Sequence, residues 1–161
     1  MKASELTQIG LLCALAAVLG YVEALLPPFV PVAGFKIGLA NIAVMYGLCR
    51  SGAKQAFFIM LVKVIITSIW FSGLNTLIFS LFGGVLSWAA MMLATRVKMS
   101  RIGVGMCGGV FHNVGQLAAA CIVLGTRASL WFAPALLPLG LVSGAVVGAV
   151  TGTALKYTEK I

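Results

Sequence analysis

Charge is what this sequence has least of. Only 9% of its 161 residues are Asp, Glu, Lys or Arg, against roughly 25% in a soluble domain. Acid is scarcest: Glu5, Glu23 and Glu159 are the only carboxylate side chains, and aspartate is missing. The residues are 61% hydrophobic and the mean hydropathy is +1.13, so a folded surface could not be covered with groups that water solvates. That excludes a soluble enzyme, a disordered segment and an ordinary nucleic-acid binder. No nucleic-acid partner is expected despite the formal charge of +8.

The shortages extend to chemistry. There is no pair of Asp/Glu residues for acid–base work, no Ser-His-Asp set, and a single histidine. Without aspartate no acidic motif exists for Mg²⁺-diphosphate chemistry. No GxxxxGK[ST] nucleotide loop occurs. Cys13, Cys49, Cys107 and Cys121 show no CxxC spacing and sit in or beside apolar runs, where cysteine packs as a small hydrophobe. Neither a metal nor a cofactor is expected, and binding is a better expectation than catalysis.

What the chain does have is long apolar runs. Crossing about 30 Å of hydrocarbon takes about 20 helical residues, so 161 residues leave room for five or six spans. The runs are too long and too uniformly apolar for barrel strands. The expected fold is an all-α integral membrane protein, a bundle of six transmembrane helices forming one domain over residues 1–161. The spans are expected at Ser4–Leu26, Phe35–Leu48, Gln55–Phe71, Leu74–Thr95, Ile102–Leu124 and Leu130–Leu155. Pro27, Pro28 and Pro31 stop the first, so Pro27–Gly34 reads as a loop. The second is short for a full crossing. The first resembles a signal peptide, but Glu5 interrupts its charged start and the segment reads as retained.

Cations sort by side. Six spans place Lys2, Arg50, Lys54, Arg96, Lys98, Arg101, Lys156 and Lys160 together, with Lys36 and Arg127 opposite and Lys63 inside the third span. Eight against two puts both termini in the cytoplasm by the positive-inside rule. Gly140, Gly144, Gly148 and Gly152 share one face of the sixth span, a spacing that lets another backbone approach closely.

Polar side chains at membrane depth are costly and normally face a cavity or a partner. Glu23, Lys36, Asn41, Lys63, Asn75, His112, Asn113, Gln116 and Arg127 all fall from the midplane outward. Snorkelling accounts equally well for Glu23, Lys36 and Arg127, and helix capping for Asn75. His112, Asn113 and Gln116 fit either a pocket or hydrogen-bonded glue between helices. Lys63 fits either a pocket or an ion pair with Glu23. The expected solute-binding set is Lys36, Asn41, Lys63, His112, Asn113 and Gln116: the lysines for charge, the amides and imidazole for orientation.

Three stretches in order, Lys36-Ile-Gly-Leu-Ala-Asn41, Phe79-Ser-Leu-Phe-Gly-Gly84 and His112-Asn-Val-Gly-Gln116, resemble the bacterial Gx transporter family. That family is also called heptaprenyl diphosphate synthase component I, and it is similar to the S-components of energy-coupling factor transporters. The resemblance implies a multi-pass protein of the bacterial inner membrane that binds a vitamin-like or other small polar or anionic solute from outside. It also implies energy from a transmembrane coupling protein with two ATPase subunits. S-components often meet that coupling protein through an Ala-x-x-x-Ala step on the first span; the nearest match here is Gly10 to Ala14. The alternative is a non-catalytic membrane component of heptaprenyl diphosphate synthesis. The bilayer is a partner under either reading.

Overall fold

The computed structural model describes residues 3–25, 38–72, 75–125 and 127–158. Lys36, the Pro27–Gly34 loop, the start of the second expected span, and Lys2 and Lys160 lie outside the described residues, as does the side chain of Asn75. The described residues form six α-helices: α1 (Ala3–Leu25), α2 (Asn41–Arg50), α3 (Ala53–Thr67), α4 (Asn75–Arg96), α5 (Arg101–Leu124) and α6 (Ala133–Thr158). A π-helical turn, Ser68–Ser72, extends α3, and a 3-10 turn, Arg127–Phe132, leads into α6.

Five helices are long and apolar enough to cross a membrane: α1, α3 with its π turn, α4, α5 and α6. The sixth expected span differs. Helix α2 has 10 residues, about 15 Å of rise, half the hydrocarbon thickness. It is also the innermost helix, packed against α1, α3, α4 and α6. Ala43, Val44, Met45, Gly47 and Leu48 are buried on it. Its start is set by a turn at Gly38, whose φ of +81° favours glycine, with Asn41 N donating to Gly38 O at 2.8 Å. At its other end Ser51 and Gly52 turn the chain tightly into α3, both amides donating to Gly47 O.

Helices α4, α5 and α6 form the most extensively packed layer. Glycines bring α5 and α6 into backbone contact. A Cβ on Gly105 would run into the Gly144 carbonyl oxygen, and one on Gly109 into that of Gly140. Gly140, Gly144 and Gly148 therefore pack against α5 of the same chain, as bundle packing requires. Ser100 caps α5 by accepting from Gly103 N at 3.1 Å, and Gly125 ends it in the left-handed conformation. On the other flank, Trp88 of α4 donates to Ala53 O at 2.9 Å and stacks edge-on against Phe57 at 4.9 Å.

The charged ends gather as the topology requires. Arg101, opening α5, donates to the sulfur of Cys49 near the end of α2. Tyr46 of α2 donates to Thr158 at the end of α6. Arg50, Arg96, Arg101 and Lys156 thus share one end of the bundle. Helix α1 is the least enclosed: Leu6, Leu11, Leu15, Val18 and Leu25 are exposed apolar side chains that a bilayer would cover. Gly10 and Ala14 share that openness, and a Cβ on Gly10 would meet no atom within 4 Å.

This contrast is testable in mild detergent. Gly109→Ala should lower unfolding stability by about 1–3 kcal/mol, because α5 and α6 must separate to admit a methyl group. Gly10→Ala should be neutral or stabilising by up to about 1 kcal/mol, since it only improves helix propensity. Equal effects would contradict the assigned faces.

Candidate functional site

Helices α2, α3 and α5 bring polar groups to a similar level. Asn41 is nine residues before Arg50, and Lys63 is nine residues after Lys54. Both therefore sit about 14 Å from the basic end, close to the bilayer centre. His112 and Asn113, eleven and twelve residues after Arg101, arrive at a similar depth on α5. Glu23 is in the last turn of α1.

These side chains surround one cavity. Its lining includes Glu23 of α1, Gly38 and Asn41 at the start of α2, Lys63 of α3, Met91 of α4, His112 and Asn113 of α5, and Ser143 of α6. Lys63 Nζ donates to Asn41 Oδ1 at 2.9 Å, joining α3 to the first residue of α2. The Gly38 amide donates to Glu23 Oε1 at 2.5 Å, tying α1 to the turn that starts α2. Asn113, 6% exposed, donates from Nδ2 to the Leu136 carbonyl at 2.5 Å. Gly140 makes room for that amide, since a Cβ there would lie 2.8 Å from Asn113 Nδ2.

Gly105, Gly108 and Gly109 of α5 also line the cavity. A Cβ on each would run into the Gly144 carbonyl, Met91 or the Gly140 carbonyl, so these glycines set how closely α6 and Met91 approach. The cavity is small, about 30 Å³. A water needs about 10–15 Å³ on this measure, and drug-sized ligand pockets run to about 300–1,000 Å³. In this conformation the cavity holds one or two waters or a small ion. Directly after it α3 changes character. Thr67 Oγ1 donates to Lys63 O at 2.9 Å, and the π turn begins at Ser68. Hydroxyl back-bonding of this kind bends helices, and π turns recur at functional sites.

Of the expected binding set, the fold brings together Asn41, Lys63, His112 and Asn113. Gln116 is elsewhere: it packs on α4, its Cγ 3.0 Å from the point a Gly83 Cβ would occupy, and it is not in the lining. His112 Cε1 is also 3.0 Å from that point, so both side chains meet α4, and the turn that separates them leaves only His112 in the lining. Asn113 serves as glue between α5 and α6 as well as lining the cavity, so the two readings of it coincide. Two lining residues are additions. Glu23 carried a visible signal, an acid within an apolar helix. Ser143 carried none, being one small hydroxyl in a run of small residues. Among the described residues no three His, Cys, Asp or Glu side chains gather closely enough to hold a metal ion.

The fold and this cavity define a multi-pass helical membrane protein with a polar site enclosed within its bundle. The family model for heptaprenyl diphosphate synthase component I matches residues 12–154. The chain belongs to that family. No curated protein and no solved structure matches it.

The double use of Asn113 gives a prediction. Asn113→Leu should cost about 0.6–1.7 kcal/mol of stability in detergent, the range for a hydrogen bond between transmembrane helices. A stabilised variant would show that the bond to Leu136 contributes nothing.

Proposed function

We propose that this protein is the substrate-binding membrane subunit of a small-solute transporter, S-component-like, with its site at the cavity between α1, α2, α3, α5 and α6. The supporting observation is convergence: Glu23, Asn41, Lys63, His112 and Asn113, from four helices of a chain with few polar residues, line one space. Polar groups so costly at this depth are normally kept for a solute path. One ammonium, one carboxylate, one imidazole and two amides suit a small polar or anionic solute, held by charge and oriented by hydrogen bonds. They supply no carboxylate pair and no activated nucleophile, so the role is binding rather than catalysis.

A cavity of about 30 Å³ is too small for a vitamin-sized solute. Loading such a solute requires the helices around it to part, and α1, the least enclosed helix, is the element best able to move. The basic end faces the cytoplasm under the positive-inside rule, so both termini are cytoplasmic and the solute enters from the outer side. A coupling protein with two ATPase subunits would supply the energy, with Gly10 and Ala14 on the open face of α1 as its contact.

The family name favours a second reading, a non-catalytic membrane component of heptaprenyl diphosphate synthesis. A pull-down of tagged protein separates the two: ATPase and coupling subunits support transport, and a soluble prenyl synthase supports the second. The site itself is tested by mass spectrometry of the ligand that co-purifies in mild detergent. Lys63→Met and His112→Ala should each lower its retention by about tenfold or more, the effect of losing about 1.4 kcal/mol of contact. Retention equal to that of the unaltered protein in both variants would contradict the assignment.

A further inference from the structure

A second concavity lies at the basic end, away from the polar cavity. It is a groove of about 530 Å³ between the start of α5 and the last turns of α6. Its polar rim is Ser100, Arg101, Thr153 and Lys156, and its apolar wall includes Ile102 and Leu155. The lining holds, among the described residues, two cations and no carboxylate. Among the described residues, the Arg101 guanidinium makes one side-chain hydrogen bond, to Cys49 Sγ at 3.0 Å, leaving most of its five donors available. The opening turn of α5, a 24-residue helix, adds partial positive charge beside it.

Depth sets what this groove can meet. The apolar span of α4 ends at Arg96, that of α5 starts at Arg101, and that of α6 runs to Thr158. The groove is therefore level with the lipid headgroups. Gly148 lets α6 meet the α5 backbone at the groove's inner end, and a Cβ on Gly152 would make only ordinary contacts, 3.4 and 3.6 Å, with Arg101. A slot that is cationic at its rim and apolar along its wall matches an anion that carries a hydrocarbon chain. Basic pockets between helices at this level bind lipid headgroups. A soluble anion would have no use for the apolar wall.

We infer that this groove binds the phosphate headgroup of an anionic membrane lipid, with Arg101 and Lys156 on the phosphate and the acyl chain along Ile102 and Leu155. This site goes beyond the transporter reading and does not depend on it, since no residue of the groove lines the polar cavity.

Native mass spectrometry of the full chain in detergent tests it, with phosphatidylglycerol, phosphatidylcholine, farnesyl diphosphate and inorganic phosphate as probes. The unaltered protein should retain phosphatidylglycerol over phosphatidylcholine. Arg101→Gln with Lys156→Gln should lower that retention by roughly tenfold or more, because each basic residue near an anionic headgroup contributes about fivefold. Lys54→Gln, an exposed cation outside the groove, should leave it unchanged. Lys156→Gln alone and Gly152→Leu, which fills the slot and keeps both charges, serve as further variants; a thermal melt confirms that each is folded. Displacement of phosphatidylglycerol by farnesyl diphosphate, dependent on Arg101 and Lys156, would support a lipid-borne phosphate and identify an isoprenoid as the carrier. Equal phosphatidylglycerol retention by the folded double variant would overturn the inference. So would displacement by inorganic phosphate at the same concentration as farnesyl diphosphate.

Discussion

An ammonium group inside hydrocarbon must be held by other polar groups, and here that requirement falls on Lys63. Its hydrogen bond to Asn41 ties the middle of α3 to the first residue of α2. A helix that crossed the whole bilayer would bring only side chains to that depth. Helix α2 brings its own end, because the chain turns at Gly38 and starts the helix inside the bundle. Irregular backbone at membrane depth is tolerated where protein buries it or it lines a cavity. Both conditions are met: α2 is enclosed by four helices, and Gly38 lines the cavity with Glu23 bound to its amide. Lysine, half-length helix and cavity are one arrangement.

Glycine has two uses in that arrangement. On the α5–α6 interface it removes side chains so that backbones touch, which gives van der Waals packing where no hydrophobic force acts between helices in lipid. Beside the cavity, a Cβ on Gly108 would run into Met91, so the second use is to seat that α4 side chain in the cavity wall. A tightly packed layer of α4, α5 and α6 thus forms one wall of the cavity, with α1, α2 and α3 as the other. Under the proposed binding role, belonging to the heptaprenyl diphosphate synthase component I family is compatible with this division.

Much of this was legible in the residues alone. Helix α4 was expected at Leu74–Thr95 and lies at Asn75–Arg96; α5 was expected at Ile102–Leu124 and lies at Arg101–Leu124. Long apolar runs bounded by cations and by Ser100 leave little freedom there. Helix α2 was less legible, because an apolar stretch looks the same whether it crosses the bilayer or is buried inside a bundle. Only the turn at Gly38 decides, and it depends on tertiary contacts. The sixth span was expected from Leu130 and the apolar segment begins at Ser129, its first residues forming a 3-10 turn before α6 starts at Ala133. Within the site, Lys63, Asn41, His112 and Asn113 stood out because hydrocarbon makes each of them costly. Gln116 stood out equally but lies one helical turn beyond the cavity, packed with His112 against Gly83 of α4.

The central proposal is a polar site near mid-membrane that opens, as the helices around it part, to the side opposite the basic end. Substituted-cysteine accessibility measures this directly, in a background with Cys13, Cys49, Cys107 and Cys121 replaced by alanine. A small, membrane-impermeant thiol reagent applied outside intact spheroplasts should label Asn41→Cys, while Val150→Cys, exposed on α6 towards lipid, stays unlabelled. Failure of Asn41→Cys to react from outside, or reaction only from the cytoplasmic side of inverted vesicles, would contradict the account.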